Sequence, residues 1–180
     1  MKYHLTFCLL LFSLLCSAQG EEQKILWKAD EKLTWADFQG APDPRIPYHA
    51  NTSSGLSFSW SLKTSEDSAE FVYEVHSYFH PMESWVKGEQ PSASLLAHEQ
   101  LHFDISELYV RKLRQQLAGY QLGAEVKEDL NRIYQENEKG RQLMQDRYDR
   151  ESDHGLEKEA QAKWKVFVDT ELLKFAEFSE

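Results

Sequence analysis

Apolar and polar residues alternate strictly over Leu56-Ser57-Phe58-Ser59-Trp60-Ser61-Leu62, the pattern of a strand with one buried face. Residues 71–79 repeat it, with Phe71, Tyr73, Val75, Ser77 and Phe79 on one side. The polar run between the two predicts a β-hairpin. His76 falls with Val72, Glu74 and Tyr78 on the other face and is expected to point away from the core. A shorter strand is expected at Ile25-Leu26-Trp27. Past Pro81 the apolar spacing changes from two to three and four. Leu95, Leu101, Ile105, Leu108 and Leu113 predict an amphipathic helix over 92–118, with Pro91-Ser92 as its start signal and Gly119 as its stop. Val126, Leu130, Ile133 and Tyr134 give a second, highly charged helix over 124–149. After Gly155, a third over 156–178 carries Ala160, Trp164, Phe167, Val168, Leu172 and Phe175.

Between strands and helices the punctuation is equally readable. Thr34-Trp35-Ala36-Asp37-Phe38 reads as one helical turn with Thr34 as its cap, closed by Gly40. Pro42, Pro44 and Pro47 then exclude regular structure over 40–54, a loop in which His49 is expected to be solvated. Trp85, just upstream of the first helix, is read as a core anchor because tryptophan is highly buried on average. The expected architecture is a single α+β domain: a small N-terminal antiparallel sheet followed by three helices, the first packed on the sheet.

The N-terminus changes where that domain is expected to work. One lysine, Lys2, precedes an uncharged apolar run that ends in Cys16-Ser17-Ala18. A dozen apolar residues are too few for a bilayer, which needs about 20, and small residues at 16 and 18 suit a signal peptidase. Residues 1–18 are therefore read as a signal peptide and 19–180 as the mature domain, exported to a periplasm or secreted, with no stable membrane anchor. Acylation at Cys16 is disfavoured by Leu14 and Leu15 before it. Cleavage removes both cysteines, Cys8 and Cys16, so the mature chain has no disulfide and depends on its core. The formal charge of −10 becomes one unit more negative with Lys2 gone. Nucleic acid is a poor partner for such a surface.

Candidate chemistry lies in Ala97-His98-Glu99-Gln100-Leu101-His102. Residues four apart share a helical face, so His98 and His102 can offer imidazole nitrogens to one metal ion while Glu99 reaches an adjacent water. One Zn2+ per chain is the expected cofactor, since catalytic zinc takes neutral nitrogen ligands and keeps a position for a water whose pKa falls to about 7. Glu99 is the candidate general base. A third ligand is needed, and the position six residues past the second histidine is Leu108. His154 is the first choice, at a break between helices with Gly155 giving it room. Asp149 and Asp153 compete as oxygen ligands, and Glu125 or Glu128 would make a His-His-Glu set. Asp104 and Glu107 are candidates to hold the imidazoles from behind, and Tyr148 is a candidate oxyanion donor, with surface packing as its plainer role.

Leu33-Thr34-Trp35-Ala36-Asp37-Phe38-Gln39-Gly40, Ser84-Trp85-Val86, 97–104, Tyr148-Asp149 with His154-Gly155, and Gln161-Ala162-Lys163-Trp164 together resemble an uncharacterised bacterial family described as predicted secreted zinc-dependent proteases. The resemblance spans most of the mature chain in the expected order. It implies a zincin-like metallopeptidase with His98, His102 and His154 as ligands, Glu99 as base, and a peptide or protein substrate. Two other functions fit the same residues: a zinc-binding envelope protein without turnover, and a zinc hydrolase of a cell-wall amide.

Overall fold

Residues 24–65, 69–88 and 91–179 are described by the computed structural model. The expected signal peptide, 1–18, lies outside them. Strands β1 (Ile25–Leu26), β2 (Ala50–Asn51), β3 (Ser54–Thr64), β4 (Ala69–Phe79) and β5 (Trp85–Val86) precede helices α1 (Ala93–Ala118), α2 (Val126–Ser152) and α3 (Lys158–Lys174). This is the α+β arrangement that the spacing predicts.

Alternation in β3 and β4 pairs them antiparallel from Ser54 opposite Phe79 to Thr64 opposite Ala69. β1 adds to the other edge of β4, giving the order β1-β4-β3. In β4 the inward set holds: Val75, Ser77 and Phe79 are buried, while His76 is half-buried beside Tyr78 on the opposite face. The proline-rich segment contains one element that its composition hides. Ala50 and Asn51 pair with Val86 and Trp85 as a two-stranded ribbon, too short for alternation to show. Trp85 is buried there, an anchor as expected. Gly40 lets the preceding turn approach this ribbon. Its N–H donates to the Ser84 carbonyl at 2.8 Å, and a Cβ at that position would stand 2.7 Å from the Met82 carbonyl oxygen.

α1 starts where the signal was read, with the Ser92 hydroxyl accepting from the Leu95 N–H at 3.1 Å. It differs from expectation in being more than amphipathic: every residue from His98 to Leu108 is buried. Three apolar clusters meet on it. Leu101, Ile105 and Leu108 pack with Tyr148 of α2 and with Trp164, Val168 and Leu172 of α3. Val110, Leu113 and Leu117 pack with Val75 and Leu130, and Phe103 joins Leu33, Phe38 and Phe79. With a sheet on one side and two helices on the other, even α1's polar positions are removed from water. The burial then has to be matched by partners.

α2 runs to Ser152, three residues past the expected end. α3 is shorter than read, beginning at Lys158, and Ala176–Phe178 forms a separate 3-10 turn. Between α2 and α3 the chain reverses through Asp153, His154 and Gly155, all with positive φ.

Candidate metal centre

α1 presents His98 and His102 one turn apart, and α2 crosses them with its last turns. The His98 and His102 Nε2 atoms are 3.1 Å apart. Asp149 Oδ1 stands 3.2 Å from the first and 3.0 Å from the second. These three atoms form a nearly equilateral triangle. Donors about 2.0–2.1 Å from a tetrahedral zinc are separated by about 3.3 Å, so a triangle of this size suits three ligands of one ion. Among the described residues, His98, His102 and Asp149 are the group that could hold a metal.

Protons do the same task in the metal-free protein. Burial pulls the His102 pKa down, but its hydrogen bond to Asp149 outweighs that and the imidazole titrates above its ordinary value. Burial would raise Asp149, and the two histidines overcome it and hold the carboxyl well below the usual range. At His98 burial wins, and the pKa is lowered. A carboxylate kept ionised between two imidazoles, one of them disposed to be neutral, is a donor set ready for a cation.

Gln145 of α2 orients the His102 imidazole from behind. Its Oε1 bonds His102 Nδ1, and its Nε2 donates to the His102 carbonyl at 2.8 Å. Since the Gln145 carbonyl can only accept, Nδ1 carries a hydrogen, so that in the neutral ring Nε2 has its lone pair toward the triangle. Asp104 and Glu107, the candidates that sequence offers for that role, are engaged elsewhere. Asp104 accepts from Trp27 Nε1 at 2.7 Å and Gln100 Nε2 at 2.9 Å, and Glu107 pairs with Arg111.

Tyr148 is a fully buried platform, so surface packing is not its role, and it does not line the cleft. Its ring stacks on His98 at 4.6 Å between centroids and meets His102 at 5.0 Å. Burial raises its hydroxyl pKa well above the phenol range.

His154, the first choice from sequence, stands beside the triangle and not in it. Its Nδ1 is 3.5 Å from Asp149 Oδ1, and its ring lies against Tyr48 at 3.9 Å. The physical reason is the extra turn of α2, which carries Asp149 toward α1, while the left-handed backbone at Asp153 and His154 swings the histidine outward. Asp153 sits on the same reversal as the α2 C-cap. Glu125 and Glu128 lie at the opposite end of α2, about 32–36 Å from Asp149 at 1.5 Å per residue. Asp149 itself was legible only as a competing oxygen ligand.

The triangle opens into a cleft of about 1220 Å³, walled by the 47–54 segment, the first turns of α1 and the end of α2. Glu99 lines it. The Glu99 residue is 3% exposed, and among the described residues no side chain or backbone group donates to its carboxylate; Thr52 Oγ1 donates to its main-chain carbonyl at 3.3 Å. Lys87, Arg141 and Lys158 are the cations lining the same cleft. His49, exposed as expected, is on its rim.

A bacterial family of unknown function, DUF922, matches residues 29–155. The chain belongs to this family. Its description assigns no activity, but the matched span contains His98, Glu99, His102, Asp149 and His154. No curated protein and no solved structure matches the chain.

Proposed function

We propose that this DUF922 protein is an exported zinc-dependent metallopeptidase, with His98, His102 and Asp149 as ligands and Glu99 as general base. The observation that carries the reading is the Glu99 side chain, which lines the cleft next to three converging ligand atoms and, among the described residues, takes no hydrogen bond from a protein donor. A carboxylate left without a protein donor beside a cation site is placed to take a proton from a water there. Two imidazoles and one carboxylate belong to the ligand sets of catalytic zinc. When bound, the ion would supply Lewis acidity to the scissile carbonyl and to a water.

The remaining work falls to the chain. Glu99 accepts a proton from the attacking water and passes it to the leaving amine. Tyr148 and Gln145 hold the imidazoles so that their Nε2 atoms stay aimed inward. The cleft exceeds the usual small-molecule pocket and suits an extended chain, so a peptide or protein is the proposed substrate. Export is proposed from the N-terminal sequence; among the described residues no helix is long and apolar enough to cross a membrane.

The test is Glu99→Gln beside wild type, both loaded with zinc, on a mixed peptide library and on peptidoglycan fragments. Cleavage should fall by about 10²- to 10⁴-fold with zinc content and melting temperature unchanged. Cleavage of peptidoglycan alone would move the substrate to a cell-wall amide. Equal cleavage by both proteins removes Glu99 from the mechanism, and no cleavage by zinc-loaded wild type leaves a binding protein.

A further inference from the structure

Each ligand histidine has a second ring nitrogen, and in this protein the two are treated differently. His102 Nδ1 is bonded to Gln145 of α2. His98 Nδ1 is buried and has no partner. If His98 Nε2 faces an ion with its lone pair, Nδ1 must carry the hydrogen, and a buried N–H without an acceptor is costly.

A complementary orphan lies close by. The Gln161 Oε1 atom of α3 is also buried without a donor. Its amide orientation is fixed independently, because Nε2 donates to the Ser94 carbonyl at 3.0 Å, one turn before His98, and a carbonyl there accepts only from the nitrogen. Gly155 lies between the two orphans. A Cβ on it would sit 3.0 Å from His98 Cγ and 3.2 Å from Gln161 Oε1, so both side chains crowd the same glycine Cα, whose φ of +84° suits no other residue well.

We propose that Gln161 is the positioning residue for His98, accepting its Nδ1–H at the side-chain carbonyl when the site is loaded. α2 and α3 then back the two imidazoles with one glutamine each. The inference rests on the metal reading above, and it extends the site beyond the 29–155 span of the family match into α3. It also makes metal binding a constraint on the docking of α3 against α1.

The experiment compares wild type, Gln161→Met and Gln161→Glu by zinc competition with a chelator, melting temperature with and without zinc, and the histidine ring N–H signals of 15N-labelled protein. Gln161→Met keeps the length and removes the acceptor. It should weaken zinc by about 10- to 100-fold, the range for loss of such a partner, shrink the zinc-induced rise in melting temperature, and abolish a slowly exchanging His98 Nδ1–H signal. Gln161→Glu restores an acceptor and should recover affinity and signal. A purely structural Gln161 would lower both melting temperatures equally and leave zinc affinity at wild type, which overturns the proposal alone. Wild type that binds no zinc overturns the metal reading and this proposal together.

Discussion

Both halves of α1 bury polar side chains, and they dispose of them in opposite ways. In the C-terminal half, donors meet acceptors. Arg111 Nε donates to Glu107 at 2.9 Å and its Nη1 to the Leu172 carbonyl at 2.8 Å, while Arg114 Nη1 donates to the Phe178 carbonyl at 3.0 Å. In the N-terminal half, acceptors meet acceptors: two imidazole lone pairs and a carboxylate oxygen converge within 3.2 Å, with the Glu99 carboxylate alongside. Ordinary packing closes the first set with charges of opposite sign carried by the protein. The second set closes only with protons or a cation. The difference teaches that burial alone does not mark a functional site, whereas a surplus of one hydrogen-bonding type does.

Breaking each half should therefore produce different failures. His102→Ala removes one of the three proposed ligands and should weaken zinc at least about 100-fold, read by chelator competition, because each ligand contributes directly to a metal site. Arg111→Ala should leave the affinity of the folded protein unchanged. It removes the closer of Glu107's two arginines, Arg114 remaining at 4.0 Å, together with the donor to the Leu172 carbonyl, and should cost about 1–3 kcal/mol in urea unfolding.

Acid separates the halves next. With the His102 pKa raised in the metal-free fold, its contribution to stability is full below the unfolded value of about 6.5 and is lost as pH rises through the folded value. Asp149 is depressed, so its contribution is present above about 3.9 and lost as pH falls through the folded value. Between those limits the metal-free triangle is at its most stable, and zinc must displace the His102 proton. Zinc affinity should fall about tenfold per pH unit below the His102 pKa, measured by titration from pH 8 to 5.5.

A smaller effect is expected at the hinge behind His98. Gly155→Ala places a methyl 3.0 Å from the His98 ring at a left-handed φ. The strain should cost about 1–2 kcal/mol and lower zinc affinity several-fold. Gly119→Ala, at the other end of α1 with ordinary φ and open contacts of 3.8 Å, should change neither measurably.

Much of this comparison was legible from sequence. Alternation placed β3 and β4, and helical spacing with Ser92 and Gly119 bounded α1. The convergence of His98 and His102 follows from one helical turn, and so does the placing of Glu99 beside them on the cleft. What sequence could not supply was the third partner. That choice depended on whether α2 stops at Asp149 or three residues later, nearly a full turn, which decides whether Asp149 or His154 faces α1. The all-round burial of α1 was equally hidden, because its polar residues read as a solvated face until two helices and a sheet are packed against them. Gln145 and Gln161 carried no spacing signal, being neutral residues on separate helices.

The central claim is that Asp149, not His154, completes the triangle. Purified wild type, Asp149→Ala and His154→Ala, loaded with zinc and dialysed against a weak chelator, should be compared by elemental analysis. One zinc per chain is predicted for wild type and His154→Ala, and almost none for Asp149→Ala. Full zinc in Asp149→Ala with loss in His154→Ala would contradict the account.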